Sequence, residues 1–173
     1  VLGAGSNVLF SDRGFDGVLV HWTGGSIRPE GAFLVVDAAV SMARAVAESL
    51  KAGLRGFEGA IGVPGSMGGS VRGNAGCFGT EIKDVLASAR VYDTERDQEE
   101  EWPNEKFQFA YRDSIIKRQP ELIVLSARIK LKSGDRKEGE QLVRDYAIHR
   151  TKSQDIGTSS AGCIFKNIPW SRR

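Results

Sequence analysis

Residues 62–76 read GVPGSMGGSVRGNAG, a run of fifteen residues with six glycines. The same run holds Pro64, Asn74 and spaced apolar residues, a pattern that a surface linker does not need. Its main chain is suited to lie close against something large. Glycine permits positive φ and close backbone approach, and free amides near a helix start can hold phosphate. A second glycine-rich turn, VLGAGSN, occupies residues 1–7. Two such turns in one chain suggest a nucleotide cofactor more than a protein-binding module.

The chain has 173 residues, enough for one ordinary domain or two small lobes. A hydrophobic content of 40% supports a packed core. Lys and Arg number 24 against 22 Asp and Glu, so no basic face for nucleic acid is indicated. Cys77 and Cys163 stand too far apart for a metal knuckle and are too few for a disulfide scaffold; no metal site is expected. No apolar run of membrane-spanning length and no signal-peptide pattern is present, which makes the cytoplasm the default expectation. At the start, Val1 and Leu2 enter a glycine turn at once, as a cut strand would, and FKNIPWSRR ends the sequence after another strand-like segment. Both ends suggest part of a longer polypeptide.

Along the chain, DRGFDG (12–17) reads as a tight loop before a strand at Val18–Trp22, and FLVVD (33–37) as another strand. A helix follows in SMARAVAESLKAG, capped by Ser41 and stopped by Gly53, with Val40, Ala43, Val46, Ala47 and Leu50 on one face. A second helix starts near Pro64. Strands are expected at Ala87–Asp93 and Leu122–Leu131, the latter with Ile123, Leu125, Ala127, Ile129 and Leu131 alternating. Between them, ERDQEEEWPNEK (95–106) reads as a solvent-facing loop. A further helix is expected at 138–150, with Leu142, Tyr146 and His149 or Arg150 on related faces. After a loosening at Gly157–Ser160 comes a strand-like CIFKN (163–167). The spacing is not a regular βαβ repeat, and in VLGAGSN the glycines at 3 and 5 are followed by Val8, not by the third glycine of a dinucleotide fingerprint. The expected class is α+β, wrapping a dinucleotide by other means.

Four separated motifs, VLGAGSNVLFSDRGFDGVLV, GFEGAIGVPGSMGGSVRGNAGCFG, FAYRDS and SAGCIFKN, occur in an order that resembles the UDP-N-acetylenolpyruvoylglucosamine reductase family. The resemblance covers nearly the whole chain. It implies an FAD-binding fold of the vanillyl-alcohol-oxidase type, made of two α+β lobes and incomplete at both ends. Residues 1–150 would be the FAD-binding region and 151–173 the start of a substrate-binding domain. The implied chemistry, in peptidoglycan precursor synthesis, uses NADPH to reduce FAD. Hydride then goes to the β-carbon of an enolpyruvyl group on a UDP-sugar, and the α-carbon is protonated, giving UDP-N-acetylmuramate. The implied partner is thus a UDP-sugar, with no nucleic acid and no membrane insertion.

The resemblance also distributes roles. Gly3, Gly5, Ser6 and Asn7 form one candidate cofactor contact; on residues alone, a tight capped turn is an equal reading. Gly62, Pro64, Gly65, Ser66, Gly68, Gly69, Asn74 and Ala75 form the second, against the plainer reading of a glycine-assisted packing site. Arg112, in the YR-x-S motif, would stabilise the enolate on the substrate carboxyl group; a lone arginine is otherwise more often a salt-bridge partner. Cys163 replaces the family's proton-donating serine, although a cysteine is more often a small buried hydrophobe. Tyr111, Lys166 and Asn167 fall at substrate positions, and Cys77 reads as packing near the flavin. The family's late glutamate has no counterpart in this sequence. Two other readings stay open: a flavin oxidase of the same cofactor fold, and a non-catalytic FAD-binding protein.

Overall fold

A computed structural model describes residues 1–153 and 165–167. Strands β1 (Ile27–Glu30) and β2 (Phe33–Asp37) form an antiparallel hairpin around Gly31. Leu34 and Val36 alternate into the core and are fully buried, as a half-covered strand requires. Helix α1 (Met42–Lys51) follows, and Ser41 Oγ caps it by accepting from Arg44 N. Its buried stripe is Met42, Ala45, Val46, Ser49 and Leu50. Ala43 and Ala47, expected on that face, are exposed. The i, i+3, i+4, i+7 repeat starts from Met42 and not from Val40.

The chain then runs through β3 (Leu54–Arg55), a 3₁₀ turn at Glu58–Ala60, and α2 (Met67–Arg72). A small hairpin of β4 (Gly76–Cys77) and β5 (Thr80–Glu81) leads into α3 (Ile82–Val85) and β6 (Leu86–Asp93). The acidic segment expected as a loop instead contains strand β7 (Gln98–Pro103), paired with all but the start of β6. The loop reading failed because Glu99, Glu100 and Glu101 are exposed on an outer strand, where charge is compatible with pairing. Helix α4 (Ile115–Arg118), strands β8 (Leu122–Lys130) and β9 (Lys132–Ser133), and helix α5 (Arg136–Ser153) complete the described order.

The main sheet has the order β1-β2-β8-β6-β7 and is antiparallel throughout. With its flanking helices this is an α+β fold. Along β8, Leu122 and Val124 are buried, then Ala127 and Ile129. The change of phase coincides with a register shift opposite Arg90 and Val91. One extra residue there reverses which side chains face the core. Thus Ile123 and Leu125, expected inward with Ala127, turn the other way.

The first segment packs more loosely. Leu2 forms a single parallel bridge with His21, through Leu2 N to Val20 O (2.8 Å) and Trp22 N to Leu2 O (3.0 Å). No strand forms at Val18–Trp22, because a one-residue bridge makes no ladder. At the other end, Phe165, Lys166 and Asn167 are exposed and irregular, not strand. The expected loop at 157–160 and residues 163–164 lie outside the described residues. Among the described residues, no helix is long and apolar enough to cross a membrane.

Candidate functional site

The two glycine-rich turns, about sixty residues apart in sequence, face each other. A Cβ on Gly3 would collide with Ser66 Oγ, and one on Gly65 would sit 2.9 Å from Ser6 Oγ. Gly65 also has φ +114°, a conformation L side chains rarely adopt. The amides of Gly3 through Asn7 donate to no other group among the described residues. Gly5, Ser6, Asn7, Gly62 and Pro64 are exposed. The two turns thus pack against each other through Ser6 and Ser66, with main-chain donors of the first turn left open among the described residues. Such an arrangement fits the phosphates of a dinucleotide.

The other half of the glycine run serves the protein itself. Pro64 lies outside α2, whose true N-cap is Ser66; its Oγ accepts from Gly69 N at 3.4 Å. Met67 N donates to Val40 O (2.8 Å) and Gly68 N to Ala38 O (2.9 Å). A Cβ on Gly68 would meet Ala38 Cβ at 2.9 Å, so that glycine allows helix α2 to approach the β2–α1 loop. Ala75 donates through N to Ser70 O and accepts through O from Ile82 N. Asn74 is fully buried, and its amide is engaged at both ends. At Gly68, Asn74 and Ala75, where cofactor contacts are expected, these polar groups are engaged within the protein. Ser66 and Gly69 form the cap, and Gly65 is the residue of the run that meets Ser6.

At the far end of α2, about 9 Å along its six residues, lies a polar pocket of about 450 Å³. Its lining includes Gly76, Cys77, Thr80, Glu81, Lys83 and Arg112. Arg112 sits in a tight turn closed by reciprocal Ala110 and Asp113 hydrogen bonds of 3.1 Å. Its φ of +56° is unusual for a non-glycine residue and costs roughly 1–3 kcal/mol. Its guanidinium donates to Gly76 O at 2.9 Å and retains further donors. Tyr111 is exposed, with its ring 5.4 Å from the Arg112 guanidinium carbon. Burial alone would raise the Asp113 carboxyl; the Arg118 hydrogen bond and charge, the Ser114 amide and the charge of Lys166 together hold it below its usual range. Lys166 is exposed; Cys163 lies outside the described residues. Cys77, Thr80, Glu81 and Lys83 were missed as pocket residues. The signal available was that they follow the glycine run directly.

The segment leading into the second glycine run is braced by helix α5. Glu58 is buried and accepts from Arg55 Nε and from Gly56 N (2.7 Å), while Arg55 also reaches Asp135 O and Glu138 by α5. Helix α5 adds Tyr146 stacked on Phe78 at 4.3 Å, and Arg150 against Gly62 and Ile61 O. Burial alone would push the Glu58 carboxyl up; the hydrogen bonds from its own amide, Arg55 and Gly56, with the Arg55 charge, outweigh it and hold the group below the ordinary range. A depressed carboxylate contributes stability that is present above the unfolded-state pKa and lost as pH falls through the folded one. Glu58→Gln should therefore lower the melting temperature at neutral pH, and the gap from wild type should shrink in acid. A gap that stays constant down to pH 3 would remove Glu58 from this account.

Comparison with known proteins follows this geometry. The family model described as FAD binding domain matches residues 1–97. The UDP-N-acetylenolpyruvoylglucosamine reductase of Carboxydothermus hydrogenoformans is 38% identical over 170 residues, covering 96% of this chain and 55% of that protein. The reductase of the same name from Bacillus pumilus is 35% identical with the same coverage. The crystal structure of UDP-N-acetylenolpyruvylglucosamine reductase from Thermus caldophilus superposes with a TM-score of 0.69 at 32% identity, over 78% of this chain and 48% of that one. The chain spans about half the length of the curated relatives it matches. The resemblance stated from the four motifs is borne out.

Proposed function

The chain belongs to the FAD binding domain family, and from that membership we propose that it is the flavin-holding part of a UDP-N-acetylenolpyruvoylglucosamine reductase. The observation that carries the proposal is the apposition of Gly3 and Ser6 with Gly65 and Ser66, with Arg112 at the opposite end of α2. The amides of Gly3–Asn7 would take the cofactor's pyrophosphate, with the backbone of Gly62 to Gly65 closing the other wall. Bound FAD would supply hydride transfer from NADPH to the enolpyruvyl β-carbon.

The chain's own residues supply the rest. A second donor face on Arg112 binds the substrate carboxylate and stabilises the negative charge that develops on it during hydride addition. Lys166 and Asn167, with Tyr111, contact the UDP-sugar. Cys163 donates the proton to the α-carbon; a thiol, with an ordinary pKa near 8.5, gives up its proton more readily than the serine hydroxyl it replaces. Residues 1–150 act as the cofactor region and 151–173 as the approach to the substrate region, in the cytoplasm.

Purified protein should be yellow, or become so with FAD, and anaerobic NADPH should bleach it. Failure to take up FAD under native conditions would overturn the proposal. Cys163→Ser should keep substrate reduction, whereas Cys163→Ala should fold, bind FAD and lose about 10²–10⁴-fold in the step that needs the proton. Near-wild-type turnover in the alanine form would remove Cys163 from the mechanism.

A further inference from the structure

The Asn74 side chain has no exposed surface and joins three segments. Its Nδ2 donates to Ala110 O at 2.9 Å and to Glu81 Oε2 at 3.0 Å, and its Oδ1 accepts from Lys83 N at 3.0 Å. Asn74 follows the last turn of α2 with φ +43°, a conformation that asparagine tolerates better than most residues. Ala110 opens the four-residue turn that holds Arg112 at φ +56°. Two further bonds fasten that turn to the same place: Arg112 Nη2 to Gly76 O at 2.9 Å and the buried Ser114 Oγ to Arg72 O at 2.6 Å. Of the three, only the Asn74 bond grips the turn ahead of the strained residue. A left-handed arginine persists only where its surroundings over-determine it.

We infer that Asn74 is a positioning residue for Arg112, its amide clamping the Ala110–Asp113 turn to the end of α2 and thereby aiming the guanidinium into the pocket. Asn74 touches neither cofactor nor substrate in this role. The catalytic part of the inference rests on the reading given under Proposed function; the clamp itself does not. Asn74→Asp is the informative change. It keeps the size and the acceptor for Lys83 N, removes both donors, and places a carboxylate beside Glu81. A companion variant, Asn74→Asp with Glu81→Gln, returns a donor to the Glu81 arm only. Ala110 O loses the Asn74 donor and keeps only Asp113 N, so fold and clamp can be separated.

Both variants should be made in the protein expressed from its complete reading frame. Hydrogen exchange at the Ala110 and Asp113 amides, which pair with each other's carbonyls, should rise roughly fivefold or more when the clamp is lost. Exchange within β8 should not change in the double variant. In the FAD-loaded protein, bleaching by NADPH should stay near wild type while recolouring by the enolpyruvyl substrate slows about 100-fold. In an Arg112→Ala background, Asn74→Asp should add nothing further to that slowing, as expected for two residues acting as one unit. Unchanged exchange at Ala110 and Asp113 in the double variant would overturn the clamp. Equal slowing of both half-reactions, or additive effects with Arg112→Ala, would overturn the positioning of Arg112. A protein that binds no FAD would instead overturn the proposed function, and the exchange measurement would still decide the clamp.

Discussion

Arg112→Ala should leave reduction of bound FAD by NADPH comparatively intact and slow its reoxidation by the enolpyruvyl substrate about 10²–10³-fold, the loss expected when one positioned donor is removed from a developing oxyanion. The substitution is cleaner than it looks. Alanine carries a Cβ, as arginine does, so the backbone cost of the left-handed turn is nearly the same in both. The turn also keeps its Ala110–Asp113 pair and the Ser114 anchor. What disappears is the charge and the bond to Gly76 O. Arg112→Lys should fall between, since a point charge replaces a planar fork of donors. Following flavin absorbance in separate rapid-mixing experiments gives both half-reactions. Slowing of both to the same extent would mean that Arg112 supports folding or cofactor binding instead.

Gly65→Val and Gly68→Val should fail in different ways, although the two glycines stand three residues apart in one motif. At Gly65, valine meets a φ of +114° and Ser6 Oγ at 2.9 Å. Relief comes by moving the exposed first turn away from Gly65. Strain of roughly 1–3 kcal/mol would weaken FAD binding about ten- to a hundredfold, with a modest effect on the melting temperature. At Gly68, the obstacle is Ala38, whose carbonyl also accepts from Gly68 N. Valine there pries α2 from the β2–α1 loop, an overpacking cost of about 1–3 kcal/mol. For a chain of this size each kcal/mol lowers the melting temperature by roughly 2–4 °C. Calorimetry and a fluorescence titration of FAD, run on both variants, separate the two. If Gly65→Val binds FAD as wild type does, the two apposed turns are not the phosphate site.

These contrasts mark where the sequence was legible. Glycine density announced that backbone approaches something closely, and it does at Gly3, Gly62, Gly65 and Gly68, though not at Gly5. It could not say what is approached, because a missing side chain looks the same opposite a ligand and opposite Ala38. Asn74 suffered the converse problem: a polar residue in a cofactor motif reads as a contact, whereas folding brings Glu81, Lys83 and Ala110 to it from as far as 36 residues away. Helix α1 was found with its cap and its stop, since both signals are local. Its stripe was started two residues early, at Val40, which is buried ahead of the helix; Val46 and Leu50 were placed rightly and Ala43 and Ala47 were not. In β8, alternation was read as unbroken; the register shift that reverses it comes from pairing with β6, which no local pattern encodes. Strand β7 was hidden by its charge, and a strand at Val18–Trp22 was overread from apolar residues without a ladder to join.

The two ends of the main sheet carry a consequence of their own. An unpaired strand edge offers a second chain a row of hydrogen-bonding groups to copy, and such copying begins amyloid-like stacking. On β1 that row is interrupted by Pro29, which has no amide to lend. On β7 it is fenced by three successive glutamates, two of them tied in ion pairs to Arg90 and Lys106. The hydrogen bond from Arg90 and its charge hold the Glu99 carboxyl below its ordinary range, and Lys106, with Trp102, does the same for Glu100. Glu99 and Glu100 therefore stay charged further into acid than isolated glutamates would. A chain with exposed glycine-rich backbone has, at both margins of its sheet, a chemical refusal to let its neighbours add a strand.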